Sequence, residues 1–212
     1  MFPAKAVLRP RPKTDLSVTS LVNKAGLARL FFCVLDGIAL CGLNAADFSM
    51  DIMMSAPITF TRLTEVPLTD IAAHMSDPKV AGHMPLLTGA WDEAQAAAFV
   101  AAKEACWQRD GLGHWAFWSG GDYLGWGGFQ KEGEEWDFGL VLRPDRFGWG
   151  LRIAHQALTF ARQDRRIPYV TFLLPPTRRH LRGLARLGAV PVGEVTYDGA
   201  RFLKFRLDTA TV

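Results

Sequence analysis

Residues 136–166 read WDFGLVLRPDRFGWGLRIAHQALTFARQDRR, and this stretch decides the fold. The alternating apolar residues over 136–142 predict a β-strand, and Pro144 ends it. A short turn that carries Gly148 and Gly150 follows the strand. The next residues place their apolar side chains on one half of a helix, as in a helix packed flat on a sheet. The stretch therefore predicts a strand, a glycine turn and a helix in direct succession.

This succession is suited to binding a phosphate. The first N–H groups of a helix have no partner within the helix, and the helix dipole favours a negative charge beside them. A glycine turn lets the backbone come close to the ligand, because glycine has no side chain. We expect the backbone N–H groups of residues 146–151 to be the donors.

The composition is that of a folded protein with a moderate charge. The chain has 212 residues, 49% hydrophobic and 21% charged, which fits one domain of ordinary size with an extension. The net charge of +3 is too small to indicate a nucleic-acid partner without a concentrated basic patch. The three cysteines show no CxxC spacing, so they indicate neither a disulfide framework nor a metal site. They favour a reducing, cytoplasmic location.

Residues 1–54 are predicted to form a poorly structured leader before a domain at residues 55–209. The apolar run over residues 27–43 carries two charges and is shorter than the roughly 20 apolar residues that span a membrane. A faint resemblance to a secretion signal leaves a signal or an anchor open. The alternative is an over-extended start, with the natural first residue at Met50, Met53 or Met54.

The rest of the chain supplies alternating helices and strands. Asp92 and Gln95 predict a capping box at the start of an alanine-rich helix, and Gly188 predicts the end of the last helix. The predicted strands cover residues 58–62, 114–118, 123–129, 136–142, 169–174, 189–195 and 200–207. The predicted helices cover residues 68–75 and 94–109, a stretch from Gly150, and residues 178–187 with Thr177 as the cap.

The order of these elements, together with two motifs, resembles the GNAT superfamily of N-acetyltransferases. The first motif is Asp137-Phe138-Gly139-Leu140, then Pro144, then Gly148-Trp149-Gly150, and the second is Leu187-Gly188. Over residues 58–207, the sequence looks most like the branch of ribosomal-protein N-terminal acetyltransferases. The resemblance implies an α+β fold, with a mixed central sheet of about seven strands and helices on both faces.

Several side chains depart from the pattern of that branch. Thr177 and His180 stand where the branch often has Asn and Ser, and Leu140 stands where it has an aromatic residue. Leu184 replaces a tyrosine that acts as a general acid in some members of the superfamily. These differences concern the residues that move protons rather than the fold.

The resemblance implies direct transfer of an acetyl group from acetyl-CoA, as a cosubstrate, to an amine in a ternary complex, without a metal. The pantetheine arm would lie between the strands over residues 136–142 and 169–174, which splay apart in the family. A backbone N–H near Leu140 or Val141 would stabilise the oxyanion. The residues expected to contact the coenzyme are Leu140, Val141, Leu142, Arg146, Phe147, Gly148, Trp149, Gly150, Leu151 and Thr177.

Asp137 is the candidate general base, acting through water, because the family often has an acid on this strand. The alternative is an ordinary solvated carboxylate. His83 and His114 are lesser candidates, since each is more often structural. Two groups of arginines could meet the coenzyme phosphates or be solvated: Arg143, Arg146 and Arg152, and Arg178, Arg179 and Arg182.

The acceptor is expected to be a small-molecule amine or a peptide N-terminus, with neither nucleic acid nor membrane as a partner. The protein is expected to be a monomer or a homodimer. Four of six tryptophans are assigned to the core, and the others would line an acceptor pocket. The six are Trp91, Trp115, Trp118, Trp126, Trp136 and Trp149.

Two other functions stay open. The departures from the family pattern favour a non-catalytic acyl-CoA-binding or regulatory module on the same fold. A dinucleotide-binding oxidoreductase is the weaker alternative, because Ile153 stands where the third glycine of Gly-x-Gly-x-x-Gly would be.

Overall fold

The computed structural model describes residues 56–82, 84, 89–178, 181–197 and 199–209. The predicted leader at residues 1–54, with its alternative starts, lies outside the described residues. So do His83, Arg179 and His180.

The described chain forms seven strands and five helices. The strands are β1 Ile58–Arg62, β2 His114–Ser119, β3 Asp122–Glu132, β4 Glu135–Leu142, β5 Tyr169–Leu174, β6 Val190–Tyr197 and β7 Ala200–Asp208. The helices are α1 Leu68–Ser76, α2 Pro78–Ala81, α3 Glu93–Asp110, α4 Gly150–Gln163 and α5 Arg182–Leu187. Short 3-10 turns occupy Leu63–Glu65 and Pro144–Trp149.

One sheet contains all seven of these strands, in the order β1-β2-β3-β4-β5-β7-β6. Only the β4–β5 pair is parallel, and the other neighbours are antiparallel. A core on one face joins the sheet to α4 and α5, and a core on the other face joins it to α1, α2 and α3. The α+β fold with a mixed seven-stranded sheet and helices on both faces is therefore confirmed.

The strands β4 and β5 separate soon after they meet. They pair only at Trp136 with Val170 and at Asp137 with Thr171. Beyond that point β4 stays paired with β3 as far as Leu142, and β5 stays paired with β7. We call the gap between the separating ends of β4 and β5 the fork.

The glycines of β3 allow β4 to lie unusually close. A Cβ atom at Gly127 would collide with the Gly139 carbonyl oxygen, and one at Gly125 would lie 2.7 Å from the Leu142 Cα. A side chain at either position is therefore excluded by the backbone of the neighbouring strand. The missing side chains at these two positions therefore serve the close approach of the β4 backbone.

Of two predicted helix starts, the structure confirms that of α3 and contradicts that of α5. The capping box of α3 is confirmed, because the Gln95 N–H donates to Asp92 Oδ1 at 2.7 Å and the Asp92 N–H donates to Gln95 Oε1 at 2.9 Å. The predicted start of the last helix is wrong, since α5 begins at Arg182. The residues after Pro175 instead form a turn, in which the Arg178 N–H donates to the Pro175 carbonyl oxygen at 2.9 Å.

The buried stripe of α3 is not purely apolar. Its buried residues are Ala96, Phe99, Val100, Lys103 and Cys106, so a lysine lies in the middle of the apolar face. The alanines at positions 98, 102 and 105 of the same helix are half-buried or exposed. Alanine carries too little apolar surface to fix which side of a helix turns inward.

Candidate active site

The turn after β4 leads without a break into α4. Pro144–Trp149 form a 3-10 helix, and α4 starts at Gly150. The Arg146 N–H donates to the Arg143 carbonyl oxygen at 2.8 Å, and the Gly150 N–H donates to the Phe147 carbonyl oxygen. Two of the backbone groups expected to bind phosphate are thus engaged inside the turn. Gly148 is exposed at its surface.

The arginines around this turn already have partners. Arg143 Nη2 lies 3.2 Å from Asp145 Oδ2, and Arg146 Nη2 lies 3.3 Å from Asp122 Oδ2. The Arg152 side chain donates to the Ala56 carbonyl oxygen at 3.0 Å. A phosphate at the turn would therefore compete with Asp145 and Asp122 for the guanidinium groups, which are partly exposed.

The peptide groups of odd-numbered residues in β4 face β3. The Arg143 N–H donates to the Leu124 carbonyl oxygen of β3 at 3.0 Å. The carbonyl oxygens of Gly139 and Val141 also point toward β3, because a Cβ atom built on Gly127 would meet the first and a Cβ atom built on Gly125 would meet the second. Because a residue's N–H and C=O point to the same side of a strand, the Val141 N–H also faces β3.

The peptide groups of even-numbered residues in β4 face away from β3, toward β5. The Trp136 carbonyl oxygen lies 3.4 Å from Thr171 Oγ1 of β5. The β3–β4 register is regular from one end to the other, so this alternation continues along the strand. The N–H groups of Phe138 and Leu140 therefore point into the fork.

Asp137 lies at the closed end of the fork, on the face that α3 covers. It is buried, and its Oδ1 lies 3.2 Å from the Thr171 hydroxyl on β5. On β3, Gln130 stands directly opposite Asp137 in the strand register. The carboxylate is thus not an ordinary solvated side chain of a strand, which was the alternative prediction.

A cleft of about 560 Å³ opens at the other end of β4. Its walls come from α1, α2, the start of β3 and the turn after β4. The lining residues are Asp70, Ala73, His74, Asp77, Lys79, Tyr123, Arg143, Pro144 and Asp145. Carboxylates and cationic groups both line this cleft, and it adjoins the turn expected to bind phosphate.

The cleft has a buried pair of titratable groups at its wall. His74 Nδ1 lies 3.2 Å from the Tyr123 hydroxyl. Burial lowers the pKa of His74 to about 4, against a smaller opposing effect of the Leu142 backbone. Burial also raises the pKa of Tyr123, with the nearby Arg143 opposing the shift. Both side chains are therefore neutral near pH 7.

Other candidate residues are distributed over the fold. His114 is buried beneath α3, with its pKa lowered by burial and by the Lys103 charge. Thr177 is exposed, and Leu184 is buried. Four of the six tryptophans are in the core, as predicted, whereas Trp91 and Trp118 are half-buried.

Sequence reasoning missed the polar partners of Asp137 and the His74–Tyr123 pair. These side chains near Asp137 are Lys103, Gln130 and Thr171; all three are buried, and the Thr171 hydroxyl contacts the carboxylate. One signal pointed to Lys103: it falls at helical spacing from Phe99 and Cys106 on the apolar stripe of α3. The pairing of His74 with Tyr123 joins residues 49 positions apart, which a single sequence does not reveal.

A fork in a mixed sheet, followed by a turn into a helix N-terminus, defines an acyltransferase type of fold. The family model described as acetyltransferase (GNAT) domain matches residues 58–185, more than half of the chain. The chain belongs to this family of acetyltransferases. This membership is incompatible with the dinucleotide-binding oxidoreductase, which was the weakest of the predicted functions.

Solved structures share the fold at low sequence identity. An acetyltransferase from Agrobacterium tumefaciens is 16% identical with a TM-score of 0.57, over 81% of this chain and 96% of its own. A spermidine N-acetyltransferase from Vibrio cholerae, with CoA and spermine bound, is 8% identical with a TM-score of 0.58, over 72% and 95%. An aminoglycoside acetyltransferase, AAC(6')-Ib, with coenzyme A and kanamycin bound, is 11% identical with a TM-score of 0.56, over 73% and 95%. The comparison with curated proteins found no match.

Two further properties concern only the part of the chain that the structure describes. No helix in it is long and apolar enough to cross a membrane. Nor does it contain a group of three or more His, Cys, Asp and Glu side chains placed to hold a metal ion.

Proposed function

We propose that this protein transfers the acetyl group of acetyl-CoA to a primary amine, by direct attack in a ternary complex. The fork between β4 and β5 is the observation that carries the proposal. It leaves one edge of β4 open beyond Asp137, and this edge leads toward the turn at the start of α4. Relatives of the same fold have CoA bound, which supports a coenzyme in this region.

The coenzyme is proposed to lie along β4, with its pyrophosphate at residues 146–151. Leu140, Val141 and Leu142 would flank the pantetheine arm, and Thr177 would contact the coenzyme from the far side of the fork. The six residues from Asp137 to Leu142 span about 16 Å of strand. A long, extended arm that starts at the turn would bring the thioester toward the closed end of the fork.

The transfer step needs few protein groups. The amine nitrogen attacks the thioester carbonyl carbon, the C–N bond forms, and the C–S bond then breaks. The negative charge on the carbonyl oxygen would be met by the Leu140 N–H, which points into the fork, rather than by the Val141 N–H, which faces β3. One such donor contributes about 3–4 kcal/mol to transition-state stability in other enzymes.

Asp137 is proposed to accept the proton that the attacking nitrogen loses, through a water molecule. Its place at the closed end of the fork supports this role, because the thioester would lie within reach there. The leaving thiolate of the coenzyme takes up a proton, so the products are an amide and free CoA. His74 and Tyr123 lie near the opposite end of β4 and are the less suitable pair for this step.

The acceptor is proposed to be a cationic amine or a protein N-terminus. About 16 Å of β4 separates the closed end from the cleft, so the cleft carboxylates, Asp70 and Asp77 among them, support an acceptor long enough to place a second cationic group there. The resemblance to ribosomal-protein N-terminal acetyltransferases supports a peptide with a free N-terminus instead. A panel of polyamines, aminoglycosides and peptides with a free N-terminus distinguishes the two classes of acceptor. The polyamines and aminoglycosides carry several separated cationic groups, whereas the peptides are chosen to carry only the N-terminal one.

The test has two measurements on the full chain. Calorimetry with acetyl-CoA measures binding, and an assay of thiol release over the amine and peptide panel measures turnover. We expect micromolar binding and turnover on at least one class. Binding without turnover on any amine would favour the alternative function, a non-catalytic acyl-CoA-binding module. This alternative is supported by the buried, apolar Leu184, which stands where some members of the superfamily have a tyrosine as general acid. Absence of binding would overturn both.

A further inference from the structure

A buried row of polar side chains lies under α3, behind the closed end of the fork. We call Lys103, Gln130, Asp137 and Thr171 the polar row. Their exposed fractions are 3%, 3%, 4% and 3%. Lys103 Nζ donates to Gln130 Oε1 at 2.9 Å, and the Thr171 hydroxyl lies 3.2 Å from Asp137 Oδ1. Four secondary-structure elements contribute to it: α3, β3, β4 and β5.

Lys103 stands at a position that packing alone would give to an apolar residue. It belongs to the buried stripe of α3, and its Nζ lies 5.4 Å from the ring centroids of both Phe99 and Trp126. Burying an ammonium group is costly unless nearby groups compensate for the lost water. A methionine would fill the same space without the cost of burying a charge. Packing alone therefore does not explain why a lysine stands here.

The titratable groups that interact with Lys103 come from α3, β2, β3 and β4. Burial lowers the pKa of Lys103 to about 8, and Cys106, Glu132 and Asp137 oppose the shift in that order. His114 on β2 is held neutral, in part by the Lys103 charge. Among the described residues, Asp137 is therefore the carboxylate that both interacts with this ammonium and stands at the closed end of the fork.

The geometry connects Lys103 to Asp137 through β3. Gln130 is the direct cross-strand neighbour of Asp137, and both side chains are on the α3 face of the sheet. The amide of Gln130 is fixed at both ends, because it accepts from Lys103 and its Nε2 donates to Glu132 Oε1 at 2.6 Å. On the β5 side, the Thr171 hydroxyl donates to the Asp137 carboxylate and so restricts its rotation.

We propose that Lys103 is a positioning residue that keeps the Asp137 carboxylate ionised and fixed in orientation at the closed end of the fork. The proposal rests on the proposed function, in which Asp137 takes the proton of the attacking amine. A nearby positive charge favours the ionised form of a carboxylate. Lys103 also fixes Gln130, the cross-strand neighbour of Asp137, and a fixed neighbour leaves the carboxylate less room to turn. Lys103 itself does not touch either substrate.

The experiment compares two neutral variants, Lys103→Met and Lys103→Gln, with Lys103→Arg in the full chain. Met keeps the volume, Gln keeps a hydrogen-bond donor for Gln130, and Arg keeps the charge. In both neutral variants we expect kcat to fall about tenfold and the acid limb of the pH–rate profile to move about one unit higher. The Kd for acetyl-CoA should change by less than about twofold, and Lys103→Arg should restore the acid limb.

Two controls separate a positioning role from a structural one. Lys131→Met removes a lysine from β3 that lies 3.9 Å from Glu134 near the surface, and it should leave the acid limb unchanged. In the Asp137→Asn background, Lys103→Met should lower kcat by no more than about twofold, because the group it acts on is already gone. Circular dichroism and thermal unfolding verify that each variant is folded.

The outcomes distinguish this inference from the function on which it rests. If the natural chain turns over no amine, the proposed function fails. If it turns over and both neutral variants keep the natural acid limb, the role of Lys103 is wrong while the function stands. An additive loss of rate in the double variant would equally overturn the positioning role. Should Lys103→Met fail to fold, Lys103→Gln alone decides between these results.

Discussion

Asp137 and Thr171 form the last rung at which β4 and β5 are paired, and the Thr171 hydroxyl lies 3.2 Å from the Asp137 carboxylate. Beyond this rung the two strands separate, while each keeps its other neighbour. The rung therefore marks the closed end of the fork and carries the acidic side chain of the proposed site. A buried carboxylate at such a point is a strong candidate for chemistry, since a purely structural role does not require a charge there.

Replacing Asp137 by Asn should slow turnover while leaving coenzyme binding nearly intact. The amide has the same shape but accepts no proton, so kcat should fall about 100-fold or more. Steady-state kinetics and acetyl-CoA calorimetry measure the two quantities. Glu134→Gln, at an exposed carboxylate three residues earlier, is the matched control and should behave like the natural chain. An unchanged pH–rate profile in Asp137→Asn would remove Asp137 as the base.

Replacing Gly148 by Glu should abolish coenzyme binding. Gly148 is exposed in the 3-10 turn, so the new carboxylate would repel a pyrophosphate without disturbing the core. Gly150→Glu would also block the site, but Gly150 is buried in the first turn of α4, and misfolding would complicate the result. Gly148→Ala is the control, because it adds bulk without charge. Normal acetyl-CoA affinity in Gly148→Glu would show that the phosphates bind elsewhere.

Local signals predicted much of this fold. The strand, turn and helix of residues 136–166, the Asp92–Gln95 capping box and the left-handed Gly188 each depend on neighbours within a few residues. The start of α5 was wrong for a local reason as well. Thr177 after two prolines matches a helix cap in sequence, but the turn at Pro175 delays the helix to Arg182.

The environment of the candidate site could not be predicted in the same way. The fork depends on where β4 and β5 stop pairing, which involves side chains more than 30 residues apart. The burial of Lys103 depends on which face of an alanine-rich helix turns inward, and the alanines do not decide that. Asp137 was therefore identified by its place in a family motif, whereas its partners required coordinates.

Replacing Gly127 by Ala should destabilise the protein by about 3 kcal/mol or more, because the Cβ would meet the backbone of β4 at Gly139 and Leu140. Urea unfolding at pH 7 measures the change. Gly133→Ala is the control, since Gly133 also has a positive φ, 60°, but nothing lies within 4 Å of its Cβ position. The cost there should be only about 1 kcal/mol, from the backbone conformation alone. Equal losses in both variants would contradict the close approach of β3 and β4.

Acidification should destabilise the fold through His74. Its pKa is about 4 in the folded protein and 6.5 in the reference state, so the unfolded chain binds the proton more readily. The contribution of His74 to stability is therefore fully present above pH 6.5 and is lost as the pH falls toward 4. The total loss is on the order of 3 kcal/mol. His114, with a pKa that is also lowered, adds a loss in the same direction.

Urea unfolding between about pH 7 and pH 4 measures how steeply the stability falls with pH. His74→Asn should flatten it, whereas His155→Asn, at an exposed position on α4, should leave it unchanged. A His74→Asn variant with the natural slope would show that His74 is protonated without cost in the fold.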